Sequence, residues 1–235
     1  MPAVWASLLV LERRSPGRPL PPVRGWAVAG VACLALSLGV GAATPELLRP
    51  WLPDLGGRHL GTAGGALAAA LLGDLVNYWV HRAMHAHPTL WRWTHQLHHG
   101  AERMDLLGMA VLHPFDLALT ALTTAAATTS LGLSLEASVW SAALAFSAAC
   151  LQHSNVRTPR WLGFVLGRPE QHAVHHARGV HAHNYAVFPV WDLLFGTLVN
   201  PPAGEFPAAY GFWDGGSAAV GRMLLGHDAS HPPPP

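Results

Sequence analysis

Residues 25–45 contain no Asp, Glu, Lys or Arg. At about 1.5 Å per helical residue, such a run reaches across the roughly 30 Å hydrocarbon core of a bilayer. Residues 59–80 form a second run, interrupted among those residue types only by Asp74. Residues 117–135 and 137–156 are free of them on either side of Glu136, with the turn-like Leu131-Gly132-Leu133-Ser134 near their junction. That pair reads as a helical hairpin. The pattern predicts an all-α integral membrane fold with about four transmembrane helices. Composition agrees: only 11% of the 235 residues are charged, against about 25% in soluble domains.

The arginines orient these spans. Arg13, Arg14, Arg18 and Arg24 precede the first span, whereas Arg49 and Arg58 lie in the next loop. The positive-inside bias then makes residues 1–24 a cytoplasmic N-terminal segment. A signal peptide cleaved after Gly41-Ala42-Ala43 is the rival reading, but the apolar stretch exceeds the usual run of about 7–15 residues. Counting spans returns 81–105 and 153–200 to the cytoplasmic side, predicting a histidine-rich helical cap there. Residues 25–200 are expected to form one membrane-embedded unit, with a histidine-motif core at 70–200. Residues 201–235 form a Pro/Gly-rich tail whose final prolines are expected to be disordered. A bacterial inner membrane is the expected location, since all the basic residues are Arg. The net charge of +1 excludes the basic field that nucleic acid requires. Cys33 and Cys150 lie in apolar runs and read as small apolar residues rather than disulfide partners.

Sixteen histidines are present, and most are organised. His81-Arg82-Ala83-Met84-His85 is one motif. His95-Gln96-Leu97-His98-His99 and His172-Ala173-Val174-His175-His176 are two copies of a second. Positions i, i+3 and i+4 share a helix face, so each motif is expected to aim its imidazoles at one point. Eight imidazoles exceed the needs of one zinc ion and suit two metal ions in a nitrogen-rich cage. Histidines scattered on solvated faces would not repeat this spacing. His153, at the end of the fourth span, is expected to join them; the alternative is a hydrogen-bonded boundary histidine. His113 is a ligand, a supporting group or a residue at a helix start. His87, His181 and His183 are supporting or solvated, and His59, His227 and His231 are incidental.

Asp74 lies on one stripe with Tyr78, His81 and His85, and is expected to accept the free N–H of a ligating histidine. Asp105, Asp116 and Glu170 are further carboxylates that could offset metal charge. Glu-x-x-His, HExxH, GxSxG and CxxC motifs are all absent, which disfavours carboxylate-bridged bundles, zincins, serine hydrolases and thiol redox chemistry. The glycines at 61–65 read as helix-packing surface.

Over residues 70–200 the chain resembles the fatty acid hydroxylase / sterol desaturase superfamily of membrane oxygenases. The blocks that carry the resemblance occur in order: Asp74 to His85, Leu90 to His99, Gln152-His153-Ser154-Asn155, His172 to His176, Asn184-Tyr185, and Trp191 to Thr197. His113-Pro114-Phe115-Asp116 looks like the family's His-Pro-x-Glu element with Asp replacing Glu. Ala186 stands where the family usually has Gly, and Leu193 where it usually has Arg. The resemblance implies a non-haem di-iron centre, O2 as co-substrate and a membrane lipid substrate to be hydroxylated or desaturated. It implies His81, His85, His95, His98, His99, His153, His172, His175 and His176 as ligands. Asp74, His113, Asp116, His183, Asn184 and Asp192 are the supporting candidates. No dinucleotide, haem or iron–sulfur motif is visible, so a separate donor, a ferredoxin or a cytochrome b5-like protein, would supply electrons. Trp79, Trp91, Trp93, Trp161 and Trp191 either line a lipid entrance or anchor the chain at the interface. The rival from another class is a membrane metal-binding or transport protein without redox catalysis, which would place ligands mid-span.

Overall fold

A computed structural model describes residues 2–232. Among them the chain is helical, and its only β-type pairing is an isolated bridge between Ala177 and Tyr210. The helices are α1 (Pro2–Arg14), α2 (Trp26–Leu48), α3 (Gly61–Ala86), α4 (Pro88–Leu90), α5 (Gln96–His99), α6 (Pro114–Ser130), α7 (Leu135–His153), α8 (Pro169–His175), α9 (Val190–Leu194) and α10 (Val220–Leu224).

Each long helix follows an apolar run, and α6 and α7 begin where the chain supplies a start signal. Ser134 caps α7 by accepting the N–H of Ala137 at 3.2 Å, and Pro114 starts α6 behind His113. Helices α2 and α3 are long and apolar enough to cross a membrane. Helix α6 has 17 residues and α7 has 19, so the hairpin forms as expected, with α6 at the short end of the roughly 17–25 residues that cross a hydrocarbon core. Large apolar side chains point outward from these helices. Val28 is 76% exposed and Leu47 71% on α2, and Trp140 is 59% exposed on α7. An outward apolar surface of this extent suits lipid rather than water.

Small residues bring the helices together. A Cβ on Gly65 of α3 would sit 3.2 Å from the Cβ of Ala137 on α7, and one on Gly73 would meet the methyls of Thr124 and Thr128 on α6 at 3.1–3.2 Å. Close backbone approach is how helices associate where hydrophobic burial gives no advantage. The termini fold onto this bundle. Leu8 of α1 packs with Leu106 and Cys150, while Met223 and Ala229 bury against Leu97. The Pro/Gly-rich segment 201–232 packs against the bundle, because Tyr210, Met223 and Ala229 supply buried side chains between its glycines and prolines. The last prolines, 233–235, lie outside the described residues.

Candidate metal centre

Helix α3 continues beyond its apolar run and presents His81 and His85 one turn apart. His153 ends α7, and α8 carries His172 and His175 with His176 as its C-cap. Pro88 restarts the chain after α3, and Trp91–His95 then form a π-helical turn before α5. A π turn rotates following side chains relative to an α-helix and recurs at functional sites. Here it directs His95, His98 and His99 inward.

All nine candidate ligands converge, in two groups. His81, His85, His95, His99 and His175 form one; His98, His153, His172 and His176 form the other. Within each group one ring nitrogen from every histidine lies within 4.8 Å of those of the others. The groups adjoin: the rings of His99 and His176 stack with centroids 4.1 Å apart. This corrects one expectation. The two HxxHH motifs do not each aim at one point, since His98 parts from His95 and His99, and His175 from His172 and His176. Successive helical residues differ by about 100° in direction, so an adjacent pair diverges and serves two neighbouring centres.

The hydrogen bonds fix which nitrogen faces inward. His81 Nδ1 bonds the Tyr185 carbonyl at 2.8 Å, His95 Nδ1 bonds Asp116 Oδ2 at 2.7 Å, His175 Nδ1 bonds the His183 carbonyl at 2.7 Å, and His99 Nδ1 meets His181 Nδ1 at 3.0 Å. A carbonyl or carboxylate can only accept, so in His81, His95 and His175 Nδ1 carries the hydrogen and Nε2 carries a lone pair. The Nε2 atoms of His81, His85, His95, His99 and His175 are all buried without a hydrogen-bond partner. In the second group the Nε2 atoms face one another: His153 to His98 at 3.3 Å, His172 to His153 at 2.9 Å and His176 to His172 at 3.1 Å. His153 Nδ1 donates to the Ala149 carbonyl at 2.9 Å, leaving its Nε2 as an acceptor between two others. Metal–nitrogen bonds of about 2.1 Å place neighbouring donors roughly 3.0–3.4 Å apart in octahedral or tetrahedral geometry.

Burial holds the imidazoles of His95, His98, His99, His172, His175 and His176 well below the ordinary histidine range, with their histidine neighbours adding to the effect. They are neutral at physiological pH and have lone pairs to give. Buried lone pairs with nothing to accept are costly, and a metal cation satisfies each of them. The donor set therefore fits two metal ions.

The supporting candidates divide. Asp116 touches the centre through His95. Asp74 does not bond a histidine; it accepts the N–H groups of Val187 and Phe188 at 2.9 and 2.8 Å. Asp192 accepts those of Tyr185 and Ala186, both at 2.9 Å. Asn184 binds the Gln171 and Val199 carbonyls and the Val199 N–H. These three tie down the 184–188 loop that offers the Tyr185 carbonyl to His81. His183 contributes its carbonyl while its side chain is exposed. His113 accepts the Phe115 N–H at 3.1 Å at the start of α6. Asp105 holds Trp26 Nε1 at 2.8 Å, and Glu170 pairs with Arg168, neither reaching a histidine. His87, His59, His227 and His231 are exposed. Sequence reasoning left His181 undecided; its contact with His99 depends on a left-handed backbone, φ 43°, that spacing alone does not reveal.

The sequence profile described as fatty acid hydroxylase matches residues 66–197, more than half the chain. An ornithine lipid hydroxylase of Rhizobium tropici is 31% identical over 53% of this chain and 39% of its own length. A fatty acid hydroxylase of a Lecanicillium species is 34% identical over 54% of this chain and 40% of its own length. The chain thus spans about two-fifths of each of these relatives, and no solved structure matches it. The profile covers every one of the nine converging histidines, and the chain belongs to the fatty acid hydroxylase family.

Proposed function

We propose that this protein is a membrane hydroxylase that inserts oxygen from O2 into an unactivated C–H bond of a lipid, using two iron ions. The observation that carries this reading is the convergence of nine imidazoles, eight buried and His85 half-buried, in adjoining groups of five and four. Imidazole suits iron, and a pair of irons supplies the redox chemistry that activates O2, with electrons from a ferredoxin or cytochrome b5-like donor. His81, His85, His95, His99 and His175 hold one ion; His98, His153, His172 and His176 hold the other. Asp116 fixes the ring of His95 and, among the described residues, is the carboxylate hydrogen-bonded to the ligand set.

The membrane supports the same reading. Helices α2 and α3 cross it, and the α6–α7 hairpin completes four spans with the histidine cap on the cytoplasmic side of a bacterial inner membrane. The ligands gather at the ends of α3 and α7, not along a path through the bilayer, which argues against transport. The cap excludes water from a hydrocarbon substrate.

Incubating iron-loaded protein with bacterial lipid extract, a reductant and isotopically labelled O2 tests the proposal. A labelled hydroxyl on a lipid, lost in the His175→Ala/His176→Ala variant, supports it. Loss of two hydrogens without label would make the enzyme a desaturase, and turnover without O2 would refute an oxygenase.

A further inference from the structure

A cavity of about 640 Å³ adjoins the five-histidine group and includes His85 in its wall. This is within the usual range of small-molecule sites. Trp91, Val180 and Phe212 give it apolar surface, and His181, which touches His99, closes it toward the centre. The lining contains one Arg, Arg178, and no Asp or Glu. The cavity begins where α3 ends, past the apolar run and therefore at the depth of lipid headgroups if α3 spans the bilayer.

We propose that this cavity is the substrate site, and that Arg178 selects lipids bearing a carboxylate or phosphate headgroup. The inference rests on the lipid-hydroxylase reading and names the substrate class of that site. Arg178 is poised for such a ligand. Its Nη2 donates to the Tyr210 carbonyl at 3.2 Å and pairs with Asp214 at 2.8 Å; its Nε is buried without an acceptor, and the side chain as a whole is 32% exposed. The Asp214 side chain is 93% exposed, so water screens that pair and an incoming anion exchanges for it readily. Guanidinium binds carboxylate and phosphate through paired hydrogen bonds. With the anion on Arg178, hydrocarbon lies against Trp91 and Phe212 and reaches the wall that His85 shares with the metal group.

The test is equilibrium binding of radiolabelled oleate and of uncharged monoolein to the purified protein in neutral-detergent micelles, with protein-free micelles subtracted and metal content measured on the same samples. Oleate is expected to bind more tightly than monoolein. Arg178→Gln is expected to weaken oleate roughly tenfold or more and leave monoolein unchanged, with Arg178→Lys restoring part of the loss. Asp214→Asn breaks the same surface pair but is expected to bind oleate at least as well as the parent, separating anion recognition from lost structure. Equal weakening of both probes by Arg178→Gln, or no preference for oleate, overturns the proposal. Displacement of oleate by inorganic phosphate alone would make this a free-anion site and also overturn it. Low iron with charge-dependent binding would instead refute the metal reading and leave the cavity standing.

Discussion

Replacing Asp116 with Asn should weaken the five-histidine group while leaving its shape in place. The carboxylate accepts from His95 Nδ1 at 2.7 Å, and both side chains are buried. Asn keeps an oxygen acceptor of the same size for His95 but removes the charge, and its Nδ2 then faces Thr120 Oγ1, 3.3 Å from the replaced Oδ1, as a donor rather than an acceptor. Charge-assisted hydrogen bonds contribute about 1.5–3 kcal/mol and neutral ones about 0.5–1.5 kcal/mol. The difference, roughly 1–1.5 kcal/mol, is about a tenfold loss of metal affinity, at the lower end of the tenfold to hundredfold usual for groups that support a metal ligand. Asp116→Ala leaves the Nδ1–H unsatisfied and should lose more. Competitive titration with a graded chelator resolves the two sites. One site should weaken by about tenfold in Asp116→Asn and the other change less, because His153, His172 and His176 do not bond Asp116. Unchanged affinity at both sites, with the fold intact, would refute the reasoning; equal loss at both would show that Asp116 acts on the fold and not on His95.

Three further outcomes follow from the packing. Glu170 accepts from Thr158 N and Oγ1 at 2.8 and 2.6 Å and pairs with the fully buried Arg168 at 3.2 Å, so Glu170→Ala should cost about 3–5 kcal/mol in denaturant titration. The double replacement Arg168→Met/Glu170→Leu should cost less. Burial raises the Glu12 carboxyl from 4.5 to about 7 where it accepts the Leu106 and Asn155 N–H groups. A raised carboxyl favours the docked state below its ordinary value, and that gain is lost as pH rises through 7; proteolysis at Arg13 and Arg14 should therefore accelerate over this range and flatten in Glu12→Gln. A Cβ on Gly30 would lie 2.5 Å from the Leu107 carbonyl, so Gly30→Ala should push α2 off the 105–110 segment and lower thermal stability by about 1–3 kcal/mol.

The four long helices and eight of the nine histidines were legible because each follows a short-range rule. Uncharged runs mark the helices to within a few residues and i, i+3, i+4 spacing marks eight imidazoles, whereas His153 was placed by its position at the end of the fourth span and by the family resemblance. What spacing could not show was the partition between two groups, which depends on the π turn at Trp91–His95 and on which ring nitrogen each hydrogen bond leaves free. Asp74 illustrates another limit. Its helical stripe with His81 was real, yet its partners are backbone N–H groups of a loop more than a hundred residues away. His181 reaches His99 from a left-handed backbone that sequence periodicity does not encode. Nor do the glycine and proline counts of the C-terminal segment reveal that Tyr210, Met223 and Ala229 are buried.

The most direct test of the account is metal identity and stoichiometry on detergent-purified protein from iron-supplied cells, after iron reconstitution, beside His175→Ala/His176→Ala. One replaced histidine belongs to each group, so both sites should weaken together. About two irons per chain in the parent and a clear loss in the variant is the predicted result. One metal or none in the reconstituted parent would contradict a two-iron centre.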